Sequence, residues 1–212
     1  MTRRAVASVS LAVLLVLGGC TGFLSGPVSF AASQATVSDD ALEETGYQHN
    51  STKAMNVSRT FEGAGQSKEV KVTNWISEYH QRVGLPGVGD QKVAVFATFA
   101  SPKVEILGKS FNPLEKYDDR QLAQQFTSQL DSVRGIEQVD SQNRTMLGKT
   151  TRVSKFKGSV TTAMGIEFDA YLHVTKVEHE GDFVVAIGVY PQKLPGQDQK
   201  VYRLIRGVQH GE

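Results

Sequence analysis

The sequence predicts an α+β domain in which an antiparallel β-sheet is covered by helices. Three observations predict it. Glu167 to His179 alternates Phe168, Ala170, Leu172 and Val174 against Asp169, Tyr171, His173 and Thr175, the period of a half-buried strand. A turn at Glu180-Gly181-Asp182 returns the chain into Phe183 to Tyr190, apolar on both faces, so the two runs read as a hairpin. Two stripes recur at helical spacing: Leu122, Phe126, Leu130 and Val133, then Val201, Leu204, Ile205 and Val208. Each is the face of an amphipathic helix. Hairpin-type strand runs separated by such helices make the α+β class.

The remaining elements follow in chain order. Ser38 is placed to cap a short helix, Asp39 and Asp40 suit its positive N-terminal end, and Gly46 can end it. Thr60-Phe61-Glu62 is extended and stops at Gly63-Ala64-Gly65. Lys68 to Tyr79 sets Val70, Val72 and Ile76 against Lys71, Thr73 and Ser77, again a half-buried strand. Leu85-Pro86-Gly87 to Asp90 is a turn. Val93 to Ala100 is apolar on both faces and is the candidate central strand. Pro102 interrupts it, and Val104 and Ile106 resume. Asp118 or Asp119 caps the first amphipathic helix and Gly135 ends it. Thr150 to Thr161 is a strand, and Pro191 to Gln197 leads into the last helix.

The N-terminus carries an address. Arg3 and Arg4 precede an apolar run from Ala5 to Leu17, and Gly18-Gly19-Cys20 closes it. A positive start, a short apolar middle and a small-residue cleavage site define a signal peptide. The run falls short of the ~20 apolar residues that a membrane span needs. Cys20, the single cysteine, is the nucleophile suited to take a lipid. A two-chain diradyl lipid on one residue then suffices for stable anchoring. The expected organisation is residues 1–19 as signal peptide, 20–36 as lipidated cysteine and flexible linker, and 37–212 as one globular α+β domain. Thr21 to Thr36 is rich in Ser, Gly, Ala and Thr, the composition of a tether. Thr2-Arg3-Arg4-Ala5-Val6 fits the twin-arginine route and the general export route alike.

Charge narrows the partners. The chain has 23 Lys+Arg and 22 Asp+Glu. The leader takes two arginines with it, so the mature part is nearly neutral. That argues against a nucleic-acid partner, which would require neutralising phosphates. With its one cysteine committed to lipid, the domain has no disulfide and must be held by its core.

The chemical motifs are weak. Gly108-Lys109-Ser110 and Gly148-Lys149-Thr150 resemble the ends of phosphate loops. The loop's first glycine is absent from both, Lys103 and Asn143 standing there. His173, Glu178, His179 and His210 could ligate a metal, but on one strand residues 173 and 179 lie roughly 20 Å apart. His179 between Glu178 and Glu180 reads as a polar hairpin tip. No metal and no cofactor are expected, and no catalytic residue, since no Gly-x-Ser-x-Gly elbow or triad pattern appears. Trp75 and Tyr79 share strand parity and could form an aromatic ligand-binding face with Tyr171, or could simply fill the core. Arg203 and Arg206 suit the C-terminal end of the last helix. Asn50-Ser51-Thr52, Asn56-Val57-Ser58 and Asn143-Arg144-Thr145 are N-glycosylation sequons, in expected loops or strand starts.

Residues 36–212 resemble the DUF6517 family of lipoproteins from halophilic archaea. The stretches that carry the resemblance are VSDDALEETGYQ (Val37 to Gln48), VKVTNWISEY (Val70 to Tyr79), LGKSFNPL (Leu107 to Leu114), VEHEGDFVVAIGVYP (Val177 to Pro191) and VYRLIRGVQH (Val201 to His210). The lipobox leader belongs to the pattern. The resemblance implies a halophilic archaeal host and an envelope location, and transfers no functional residue. The near-neutral charge departs from the acidic surfaces usual in such hosts. The order of elements is also similar to Mog1/PsbP-like sandwich domains.

The expectation is therefore a lipoprotein of the cell membrane, anchored through Cys20 and facing outside. Its domain would bind, without catalysis, an envelope protein or a small solute. The alternative is an envelope hydrolase or metal-dependent enzyme with an unrecognised site.

Overall fold

A computed structural model describes residues 26–63, 66–85, 89–106, 109–128, 133–161, 165 and 167–211. The expected signal peptide, Cys20 and residues 21–25 of the expected linker lie outside the described residues, while Val28–Ala31 and Ala35–Val37, at the end of that expected linker, are strands. The expected turn residues 64–65 and 86–88 also lie outside the described residues.

The fold is mostly β. One large sheet has the order β1 (Val28–Ala31), β4 (Gln66–Leu85), β5 (Gly89–Pro102), β11 (Asp182–Pro191), β10 (Glu167–His179), β9 (Lys149–Thr161), β8 (Val133–Met146). Strand β3 (Tyr47–Gly63) also pairs with β4. Two-stranded ribbons join β2 (Ala35–Val37) to β12 (Val208–His210) and β6 (Glu105–Ile106) to β7 (Lys109–Ser110). Among the described residues helices are few and short: α1 (Asp39–Thr45), α2 (Asp119–Ser128), α3 (Gln197–Arg206) and one 3-10 turn at Pro113–Glu115.

This corrects the expected α+β sheet covered by helices. Strands of up to 20 residues far exceed what helices of 7 and 10 residues can cover. Two of those strands left no periodic trace. Between Lys53 and Thr60, β3 is exposed at every residue, and β8 has exposed residues on both faces. Each is held by its neighbour's ladder rather than by an apolar face, so alternation, the cue for a half-buried strand, is missing. For the same reason Val133 opens β8 instead of closing α2. Val208, expected on the last helix, lies on β12.

Contacts divide the described chain into two compact units. The smaller comprises residues 57–71 and the described residues up to Ser29. Within it Val70 is buried and Lys71 lies 3.9 Å from Glu69. The larger, residues 30–56 and 72 onward, holds both hydrophobic clusters.

In the larger unit the register decides which face each residue serves. Residues opposite each other in an antiparallel pair share a face. Tyr171↔Tyr190, His173↔Gly188, Val177↔Val184 and His179↔Asp182 therefore share one. On that face Val177, Val184, Ala186 and Tyr190 pack with Phe96, Met146, Val153 and the buried side of α3. The opposite face packs Leu172, Val174, Val185 and Ile187 against Leu122 and Ala123 of α2. Val201, Leu204 and Ile205 of α3 are fully buried, which contributes roughly 1.5–3 kcal/mol each.

Both ends of α1 and the start of α2 follow their sequence cues, but Gly135, expected to end α2, lies within β8. Ser38 Oγ accepts from Ala41 N, and Gly46 at φ 71° closes α1. Asp118 caps α2: its Oδ1 accepts from Gln121 N at 2.8 Å, and Gln121 Oε1 accepts from Asp118 N at 3.0 Å. This is a reciprocal capping box. Arg203, in the last turn of α3 as expected, also holds Glu44 of α1 in a two-pronged pair.

Candidate functional site

The strongest concentration of chemistry lies on the α3 face of the sheet. Strand parity aims Lys155 of β9, His173 of β10 and Arg144 of β8 at that face. The first turn of α3 places Asp198 above them. Asp198 Oδ1 lies 2.8 Å from Lys155 Nζ and 3.0 Å from His173 Nε2, and it accepts a short hydrogen bond from the Tyr190 hydroxyl. His173 Nε2 is also 2.8 Å from Tyr190 Oη. The Nε2–H therefore donates to Asp198 and Tyr190, and Nδ1 carries a lone pair with no partner among the described residues.

Aromatic rings frame this network. His173 stacks on Tyr190 and meets Tyr202 edge-on. Lys155 Nζ sits 3.7 Å from the centre of the Tyr171 ring, and the Arg144 guanidinium 4.2 Å from that of Tyr202. Both are cation–π geometries. Burial holds the His173 imidazole neutral, its pKa pushed down to about 4. Burial also pushes the Tyr190 hydroxyl up, aided by Asp198. Burial raises Asp198 as well, but the hydrogen bonds from Lys155 and Tyr190 outweigh it and keep the carboxyl below its usual value. Chemically the cluster is a neutral imidazole locked to a carboxylate. His173 has no solvent exposure, which keeps Nδ1 out of reach of a substrate.

The aromatic residues expected to bind ligand are not brought together. Tyr79 is buried, and its hydroxyl accepts from Val37 N at 2.9 Å. Trp75 is half-buried against the same cluster. Strands β5 and β11 separate them from Tyr171, which is half-buried and shares in the Lys155 contact. The sequons Asn50, Asn56 and Asn143 are exposed, but they stand within β3 and β8 rather than in loops. Gly148-Lys149 is accounted for by a hairpin: Leu147 and Gly148, at φ 51° and 71°, form the two-residue turn between β8 and β9.

At the far end of the same face the β10–β11 turn meets the last strand. His179 Nδ1 lies 3.1 Å from His210 Nδ1, and His210 Nε2 lies 3.0 Å from Asp182 Oδ2. Ligand atoms of His179, Glu180 and His210 lie within 4.8 Å of one another. Sequence spacing separated His173 from His179 but could not pair His179 with His210, because β12 reaches the hairpin only after pairing with β2. Asp198, Lys155, Tyr190 and Tyr202 were likewise missed. Only β9–β10 parity would have hinted at Lys155 beside His173.

The family described as "Domain of unknown function (DUF6517)" matches residues 34–209. The chain belongs to this family. The match spans the Asp198 cluster and the His179 turn of the DUF6517 domain, and stops one residue short of His210. No curated protein matches the chain. Among solved structures it is similar to the solution structure of cyanobacterial PsbP (CyanoP) from Synechocystis sp. PCC 6803. Identity is 11% and the TM-score 0.38, with 88% of this chain and 97% of that chain covered. Among the described residues, no helix is long and apolar enough to cross a membrane.

Proposed function

We propose that this chain is an exported lipoprotein, held to the outer face of a membrane by lipid on Cys20, whose domain binds a partner without transforming it. The observation that carries the tether is Leu17-Gly18-Gly19-Cys20 closing a short apolar run after Arg3-Arg4. The host implied by the family resemblance is a halophilic archaeon. Exposed Asn50, Asn56 and Asn143 are then available to carry glycans.

The Asp198 cluster favours binding over catalysis. Its imidazole is sealed from solvent, and its carboxylate is already satisfied by three donors. At its rim, half-buried Tyr171 and Lys155 offer a flat ring and a charge to a small solute or to an envelope protein. Tyrosine is among the residues that dominate recognition surfaces.

Two measurements test the reading. Cys20→Ser releases the protein from the membrane fraction or leaves it unprocessed; a variant that stays membrane-bound and cleaved as before refutes the anchor. Native mass spectrometry of both forms then reads the domain. A mass beyond lipid and glycan, or a co-eluting protein lost in Tyr171→Ala, supports binding. Turnover of an envelope substrate that survives removal of every bound partner refutes it.

A further inference from the structure

The turn between β10 and β11 is built against its own preferences. Glu180 and Gly181 both hold positive φ, 49° and 83°, as a two-residue type I′ hairpin requires. Glycine, asparagine and aspartate suit the first of these positions, because the left-handed region crowds a longer side chain. A glutamate kept there is a local cost, and such outliers gather where a site needs them.

The neighbours show what the carboxylate is held for. Asp182 sits opposite His179 in the register and is buried, as is His210. Asp182 Oδ2 accepts from Ser33 N at 2.8 Å and from His210 Nε2 at 3.0 Å. The proton of His210 therefore lies on Nε2, and its Nδ1 lone pair points at His179 Nδ1, 3.1 Å away. A carboxylate behind an imidazole is the outer-shell arrangement that orients metal-binding histidines and raises their basicity. Glu180 closes the third side: a Cβ added to Gly211 would stand 2.0 Å from Glu180 Oε2. The carboxylate is thus folded back over the residue that follows His210.

We infer that His179 Nδ1, His210 Nδ1 and the Glu180 carboxylate bind a divalent first-row transition metal, with Asp182 orienting His210 from behind. Two nitrogens and a carboxylate are a zinc-type donor set that leaves a fourth position open. Two nitrogen ligands on a tetrahedral zinc stand about 3.3 Å apart, so the pair needs only a small movement to close on the ion. The metal would tie β12 to the hairpin, joining the end of the chain to the centre of the large sheet. This goes beyond the proposed tethered binding domain, and it stands whether or not Cys20 carries lipid.

The test uses the full chain, purified without a histidine tag and stripped with a chelator. Wild type takes up one Zn²⁺ per chain and melts at a higher temperature when loaded. Co²⁺ gives the visible d–d absorption of a low-coordinate nitrogen–oxygen site. Buried His210 is left intact, because its loss could unfold the ribbon. His179→Gln and Glu180→Asn each weaken uptake by more than about 100-fold, beyond the roughly 10–100-fold loss that outer-shell changes cause. Metal-free Glu180→Asn melts above metal-free wild type, since asparagine suits the turn. Wild type that takes up no metal overturns the site, the histidines then sharing only a hydrogen bond. Uptake unchanged in both variants overturns it as well.

Discussion

Val201 of α3 rests directly on Gly188 of β11. A Cβ added at Gly188 would stand 2.9 Å from both γ-methyls of Val201, closer than side chains approach one another. This contact sets how near α3 lies to the sheet, and with it how Asp198 reaches His173, the residue opposite Gly188 in the register.

Gly188→Ala is therefore expected to destabilise the domain by about 1–3 kcal/mol, the range for overpacking a filled core. Val201→Ala in the same chain should recover much of that loss, because the two sites share one gap. Chemical denaturation of the two single variants and the double variant measures it. A double variant no more stable than Gly188→Ala would show that the clash lies elsewhere.

Stability should fall in mild acid because of His173. In the unfolded chain the imidazole titrates at its ordinary value of 6.5; in the folded domain it stays neutral down to about 4. Between those values the unfolded chain binds more protons, so its contribution is complete above about pH 6.5 and is lost as the pH drops towards 4. The total is about 3 kcal/mol at full burial. Asp198, with its carboxyl held low, adds a further loss at still lower pH. Urea midpoints measured at pH 7 and pH 4.5 should differ less in His173→Gln than in wild type. Parallel pH profiles would refute the role of His173.

Leu204→Asp should unfold the domain. Leu204 is fully buried on the stripe of α3, and an unpaired charge there costs about 3–5 kcal/mol, a large share of the roughly 5–15 kcal/mol that holds a domain folded. Gln199→Asp, exposed in the first turn of the same helix, where an acid suits the helix end, is the control and should keep its far-ultraviolet circular dichroism and melting temperature. A Leu204→Asp chain that melts like wild type would mean that α3 is not part of the core.

Asn112 ties the 3-10 turn to the end of β5. Its Nδ2 donates to Ser101 Oγ at 2.8 Å and to the Pro102 carbonyl at 2.7 Å, while Oδ1 accepts from Leu114 N at 3.0 Å. Asn112→Ala leaves those buried partners unsatisfied and should cost about 2 kcal/mol. Asn112→Asp keeps the cap on Leu114 but loses the donors. The second carboxylate oxygen would face the Pro102 carbonyl in a buried site, so a thermal melt ranks aspartate below alanine; an aspartate variant as stable as wild type would refute the pairing.

Much of the frame was legible from local pattern. The β10 limits, its tight turn and β11 follow from alternation ending at Glu180-Gly181, and α1 follows from Ser38 and Gly46. These signals lie within a few residues of one another, and each is set by backbone preference or by one buried face. β3 and β8 were not legible, because an exposed strand takes its shape from the neighbour it pairs with. The α+β expectation failed there, since helices announce themselves by a stripe whereas a polar strand announces nothing.

The sequence by itself determined the apolar run from Ala5 to Leu17 that Gly18-Gly19-Cys20 closes, the ends of α1 and the central hairpin, all consequences of neighbouring residues. Tertiary structure alone decided that Asp198 meets Lys155, His173 and Tyr190, and that His210 meets His179 and Asp182. Those pairs join through sheet register and through the return of β12 along β2. Side chains far apart in the chain become neighbours only when long-range hydrogen bonding has chosen which strand lies beside which.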